Sequence, residues 1–192
     1  MDVLTILLVI VVVAAGYVIV TYNRLVSLRT RVREAWSDIQ VQMKRRYDLI
    51  PNLVDTVAAY ATHERGTLEG VVRARADAMA ENGPPPSQAQ AENALQSTLR
   101  SLFALAEAYP QLKADGNFAR LQSDLVEVET QIKMSRRYYN GAVRDLNVAV
   151  EQFPSNLIAG RFAFHKEEFF ELDEAEAQAA SRPVRVDFAG RG

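Results

Sequence analysis

The sequence predicts an all-α chain: an N-terminal transmembrane helix that continues into an antiparallel four-helix bundle with long, coiled-coil-like helices. Three observations lead there. No charged side chain stands between Val3 and Val20. After that run, apolar residues recur at steps of three and four, the spacing of one helix face. Prolines then punctuate the chain at Pro51, at Pro84-Pro85-Pro86, at Pro110 and at Pro154, leaving segments of helical length between them.

The uncharged run would form a helix roughly 27 Å long, close to the hydrocarbon thickness of a bilayer. A cleaved signal peptide needs a basic leader, a shorter apolar stretch and a small-x-small site. Here Asp2 is the only charged side chain ahead of the run, and bulky Tyr17, Val18 and Ile19 stand where small residues are needed. The run is therefore expected to be kept as an anchor, residues 3–21. With no cysteine in the chain, the acyl group of a lipoprotein has no attachment site. Tyr17 and Tyr22 suit the bilayer interface. Arg24, Arg29, Arg31 and Arg33 follow, against no Lys or Arg on the N-terminal side. By the positive-inside rule, the domain that follows is cytoplasmic and the short N-terminus lies outside.

A helical domain is expected over residues 22–172, with helices near 22–49, 51–81, 87–109 and 117–153 and a short helical segment at 155–172. Leu25, Leu28, Val32, Ile39 and Met43 make the first stripe, continuous with the anchor, and Trp36 is in phase with it as a core residue. Pro51 removes a backbone donor and predicts a kink or short break. Helix then resumes through Leu53, Val57, Tyr60, Leu68 and Val71, with Gly66 a soft point. Asn82-Gly83 suits a left-handed cap, and Ser87 with Gln90 reads as a capping box opening the third helix. Asp115-Gly116-Asn117 offers N-cap chemistry to the last long helix. There Phe118, Leu121, Leu125, Val128, Ile132, Ser135, Tyr139, Ala142, Leu146, Ala149 and Phe153 keep one heptad phase, which predicts a left-handed seam. Residues 173–192 are expected to form an acidic, then extended tail. Its alternating stretch, with Val184, Val186 and Phe188 on one side, is the candidate oligomer contact, by addition to a neighbour's edge.

Net charge is −2, so bulk electrostatics make no case for a nucleic-acid partner. The distribution says more. Arg24 to Arg33 suit anionic headgroups or a solvated helix face, and both readings stay open. Lys44, Arg45 and Arg46 lie farther along and read as a solvated face. Arg136-Arg137-Tyr138-Tyr139-Asn140 reads either as a polar layer inside the bundle or a partner surface, or, the favoured reading, as a seam Tyr139 with the arginines snorkelling outward.

Catalytic patterns are missing. His63-Glu64 begins like a zinc-protease helix, but Thr67 stands where the second histidine would be. His165 is distant, no glycine-rich phosphate loop follows a strand, and no cysteine nucleophile exists. No cofactor, metal site or catalytic residue is expected, and the chain is not expected to be an enzyme.

Several strings, in order, resemble the LemA family of bacterial membrane proteins: Tyr22-Asn23-Arg24-Leu25-Val26, Glu34-Ala35-Trp36-Ser37-Asp38-Ile39, and the stretch from Lys44 to Val54 that contains Asp48-Leu49-Ile50-Pro51-Asn52. Phe103 to Pro110, Asn117 to Gln122, Arg136-Arg137-Tyr138-Tyr139-Asn140 and Phe153 to Ala159 complete the series. The resemblance covers nearly the whole chain. It implies a single-pass protein of the bacterial inner membrane with a small external N-terminus and an antiparallel helical bundle. It implies no enzyme and supplies no active-site residues. Some relatives act in magnetosome membrane formation. The expectation is a membrane-anchored helical scaffold that forms a homo-oligomer and organises the bilayer or recruits other membrane proteins. The alternatives are a ligand-binding protein or enzyme with a pocket between helices using Glu64, Arg73 or Arg137, and a sensory adaptor working through Pro51.

Overall fold

A single helix, α1 (Val3–Ala58), carries both the uncharged run and the first apolar stripe. At about 1.5 Å per residue it is roughly 84 Å long. Every residue from Val3 to Val20 is exposed, and this part is long and apolar enough to cross a membrane. From Leu25 the same helix buries Val32, Ala35, Ile39, Met43, Ile50, Leu53 and Val57.

The computed structural model describes residues 2–171, and all regular structure among them is helical. After α1 come α2 (Arg65–Ala80), α3 (Pro85–Ala106), the one-turn α4 (Pro110–Lys113), α5 (Gly116–Glu151) and α6 (Ser155–Arg161). Val184, Val186 and Phe188 lie outside the described residues. α5 runs antiparallel along α1. Arg45 meets Glu127 at 3.4 Å, while Trp36 meets Tyr139 with ring centroids 5.3 Å apart. α2 and α3 form a hairpin that leans on α1 through α2, and α4 links α3 to α5. The core lies between these elements, and Leu95, Leu99 and Leu102 of α3 belong to the same buried cluster as the α1 and α5 stripes.

The expected second helix is cut at residues 59–64, where the chain turns. Tyr60 and Ala61 both donate to the Val57 carbonyl, and Glu64 donates to Ala61. Thr62 and His63 are weak helix formers, and Gly66 and Gly70 weaken the next turns. A helix prolonged past Ala58 would run beyond the start of α5, whose N-cap is Asp115. The turn lays α2 back on α1 instead, pinned by buried Ala61 and by the Tyr60 hydroxyl, which donates to Asp115 at 2.9 Å.

The third helix opens at Pro85 rather than at a Ser87 capping box, because proline at the first helical positions loses no helical bond. No left-handed cap forms at Asn82-Gly83. Glu81 is extended, its carboxylate accepts from the Gly83 N–H, and the Asn82 amide donates to Ala80. Asp115 does cap α5, accepting from Asn117 N at 2.8 Å and Phe118 N at 3.0 Å. These bonds, with that from Tyr60, hold its carboxyl below the usual aspartate range. Phe153, expected in the seam, lies past the end of α5 and is 75% exposed. Helix ends at Arg161, not at 172. The extended chain that follows satisfies its backbone on side chains of α5: Asn147 and Asn140 each exchange two hydrogen bonds, with Glu167 and Phe170 respectively, all at 2.9–3.1 Å.

Pro51 sits inside α1, which continues to Ala58. It has no N–H for the Tyr47 carbonyl one turn back. Arg75 of α2 takes that carbonyl, its Nε donating at 2.7 Å. Proline therefore frees an acceptor on which α2 docks. Arg75→Met should destabilise the domain by about 1–2 kcal/mol, the cost of a partly buried carbonyl left unpaired. In a Pro51→Ala background, where residue 51 regains its N–H, the same change should cost clearly less. Chemical denaturation of the four variants measures the coupling.

Candidate functional site

The most unusual chemistry in the core is a buried charge cluster joining α1, α3 and α5. Arg46 is 2% exposed and Glu92 3% exposed, and they form an ion pair. A second guanidinium nitrogen of Arg46 meets Glu129 Oε1 at 2.6 Å. Tyr47 donates its hydroxyl proton to Glu92, and buried Gln88 donates to Glu92 at 3.0 Å and to the Ala78 carbonyl at 3.1 Å. Burial raises the Tyr47 phenol above its ordinary range, against the opposing pull of Arg46 and Gln88. One cation thus faces two carboxylates in a buried cluster. It ties α1, α3 and α5 together and reaches α2 through the Ala78 carbonyl.

This corrects the expectation for Lys44 to Arg46. Lys44 and Arg45 are exposed as predicted for a solvated face, but Arg46 points into the core. The signal was present in the spacing. Arg46 stands on the stripe of Ile39, Met43, Ile50 and Leu53, while Gln88 and Glu92 stand on that of Leu95, Leu99 and Leu102. Polar residues at seam positions facing each other from separate helices mark such a cluster.

A second built region holds the extended chain after α6. Trp36, Tyr139 and Phe170 form one aromatic group, with Trp36 centroids 5.3 Å from Tyr139 and 5.5 Å from Phe170. The Tyr139 hydroxyl donates to the Glu168 carbonyl at 2.8 Å. Burial, then the nearby Glu167 and Glu168 charges, push its pKa up to about 12. A raised phenol favours the neutral form in the folded state. Its contribution is therefore complete below the ordinary tyrosine range and is lost as pH climbs through about 12. Trp36 belongs to the core edge, as its phase implied.

Four of the six expected interface residues, Tyr17, Tyr22, Arg24 and Arg29, lie beside the chain from Gln152 to Phe164. Tyr22 packs edge-on against Phe162 and Phe164, at 4.9 and 5.8 Å between centroids. Arg29 lies over the Phe164 ring at 4.8 Å. Tyr17 and Arg24 line a cleft of about 250 Å³ shared with Gln152 and Ser155. Arg31 and Arg33 are exposed. The residues offered for an inter-helix ligand site do not converge: Arg73 and Arg137 stand exposed on α2 and α5, Glu64 precedes α2, and no ion pair or hydrogen bond joins them among the described residues. A groove of about 280 Å³ between α3 and α5, lined by Leu99, Phe103, Leu125 and Glu129, falls below the usual range for small-molecule pockets, about 300–1,000 Å³. Among the described residues, no group of three or more metal-ligating side chains gathers.

Arg46→Met should cost about 3–5 kcal/mol by stranding buried Glu92, and Arg46→Met with Glu92→Leu should recover most of that loss. Thermal melts of both variants check it.

Comparison with known proteins gives a consistent result. The model of the LemA family matches residues 35–188. Magnetosome protein MamQ 2 of Paramagnetospirillum magneticum is 23% identical over 188 residues, covering 85% of this chain and 68% of the relative. Protein LemA of Metamycoplasma hominis is 23% identical over 154 residues, covering 80% and 70%. Magnetosome protein MamQ of Magnetospirillum gryphiswaldense is 22% identical over 188 residues, covering 85% and 68%.

Proposed function

The chain belongs to the LemA family, and from that premise we propose that it is a non-enzymatic scaffold anchored in the bacterial inner membrane by one pass, with its N-terminus outside and its helical domain in the cytoplasm. In this reading α1, α2, α3 and α5 act as a four-helix bundle with a coiled-coil-like α1–α5 seam. The domain self-associates, organises the surrounding bilayer and recruits other membrane proteins.

One observation carries the reading. The exposed apolar span and the buried stripe from Leu25 to Val57 belong to the same unbroken helix. Force or position at the membrane therefore reaches the domain core with no linker between them. Arg24, Arg31 and Arg33 supply exposed positive charge just beyond the span, which suits a cytoplasmic leaflet rich in anionic lipid. The cluster around Arg46 supports a structural role, because its ion pairs join side chains of three separate helices. Two of the relatives described above are named as magnetosome proteins, which favours a part in membrane organisation.

Crosslinking in intact membranes, read by mass spectrometry, tests this directly. Self-association predicts links between identical or overlapping peptides of two copies, together with links to a small set of membrane proteins. A detergent-solubilised monomer with no intermolecular links in native membranes would remove self-association from the account.

A further inference from the structure

The tip formed by the end of α5 and by α6 reaches below the level at which a soluble domain should stop. Leu157 and Ile158 of α6 and Val9, Ile10, Val13 and Tyr17 of α1 line an open apolar groove of about 600 Å³. Those α1 residues lie inside the run from Val3 to Val20. Ile10 is twelve residues before Tyr22, a depth of roughly 18 Å along the helix, near the middle of the hydrocarbon layer.

The tip's composition fits that depth. From Phe153 to Phe162 the only charged side chain is Arg161, at the C-terminal end of α6, from where it can snorkel towards headgroups. Phe153, Leu157 and Phe162 are exposed by 75%, 65% and 46%. Phe153 is also a residue that leaves the apolar seam of the domain, so its place at the tip is not a by-product of core packing.

Backbone polarity is the usual obstacle to such burial, since unpaired peptide groups are costly in hydrocarbon. Here the turn supplies internal partners. The Ser155 hydroxyl donates within reach of the Ala149 and Gln152 carbonyls, at 2.6 and 2.8 Å, and Asn156 N donates to Gln152 at 2.8 Å. Pro154 has no N–H to satisfy. Leu157, Phe162 and Phe164 donate to Pro154, Ile158 and Ala159 respectively.

The geometry points to a second membrane element: the Phe153–Phe162 tip is inserted in the same leaflet that α1 leaves, and a phospholipid acyl chain fills the groove between them. The occupant is lipid because the groove is lined entirely by apolar residues and Tyr17 and is continuous with the exposed apolar face of α1; a separate cleft that shares Tyr17 and Pro154 with it carries Arg24, Gln152 and Ser155, polar groups suited to a headgroup. This inference rests on reading residues 3–20 as a membrane span.

The absence of native cysteine makes site-specific labelling clean. Full-length Leu157→Cys, Val11→Cys and Met134→Cys variants would each carry one fluorophore in phosphatidylcholine–phosphatidylglycerol vesicles at high lipid-to-protein ratio. Met134, exposed on α5, is the water-facing reference. The label at 157 should be quenched several-fold more strongly by lipids carrying a mid-chain nitroxide than the label at 134. It should be quenched several-fold less by aqueous iodide. If 157 behaves like 134 while 11 is lipid-quenched, the tip proposal falls and the span stands. If 11 and 157 are both open to iodide, the span reading falls with it. A label at 157 shielded from both quenchers is covered by protein, which also overturns lipid insertion.

Discussion

One helix must satisfy two solvents. The first part of α1 presents an exposed apolar surface that water cannot hold favourably, and the remainder needs an aqueous domain packed along one stripe. Because no break separates the parts, the rest of the chain is arranged around a fixed rod. α5 returns along it, the α2–α3 hairpin leans against its far end, and the segment after α6 climbs its flank. The aromatic contacts of Tyr22 with Phe162 and Phe164 stand just beyond the uncharged run, where packing against the domain begins.

Along that rod, polar side chains set register where apolar packing alone would allow slippage. The Arg46 cluster fixes α1, α3 and α5 at one level. A buried ion pair of this kind adds little net stability over a well-packed apolar substitute, but removing one partner is costly. Arg75 and the Tyr47 carbonyl fix α2 at an adjacent level, and the paired bonds of Asn140 and Asn147 fix the extended chain at two points one heptad apart.

Much of the fold was readable because strong periodicity and strong breakers coincide. The α1 and α5 stripes, the cap at Asp115 and the proline-rich boundary before α3 follow from side-chain types a few residues apart. What escaped depended on partners distant in sequence. Arg46 reads as a surface base until Glu92 and Glu129 are seen to face it. Pro51 reads as a break until Arg75 takes the carbonyl it frees. The turn at Ala59–Glu64 is set by where α5 begins. Phe153 keeps the heptad phase in sequence, yet α5 ends at Glu151 and delivers it to the tip. The contacts of Tyr22 and Arg29 with Phe162 and Phe164, on the segment that follows α6, were not legible, because those rings lie more than 130 residues away in sequence.

The central claim is that span and domain share one rigid helix. Spin labels at Val11→Cys and Val41→Cys, both exposed positions on α1, would measure it by pulsed electron–electron resonance in lipid nanodiscs. Thirty residues of unbroken helix predict a narrow distribution centred near about 45 Å. A broad distribution, or a mean much shorter than that, would reveal a hinge near Tyr22 and contradict the account.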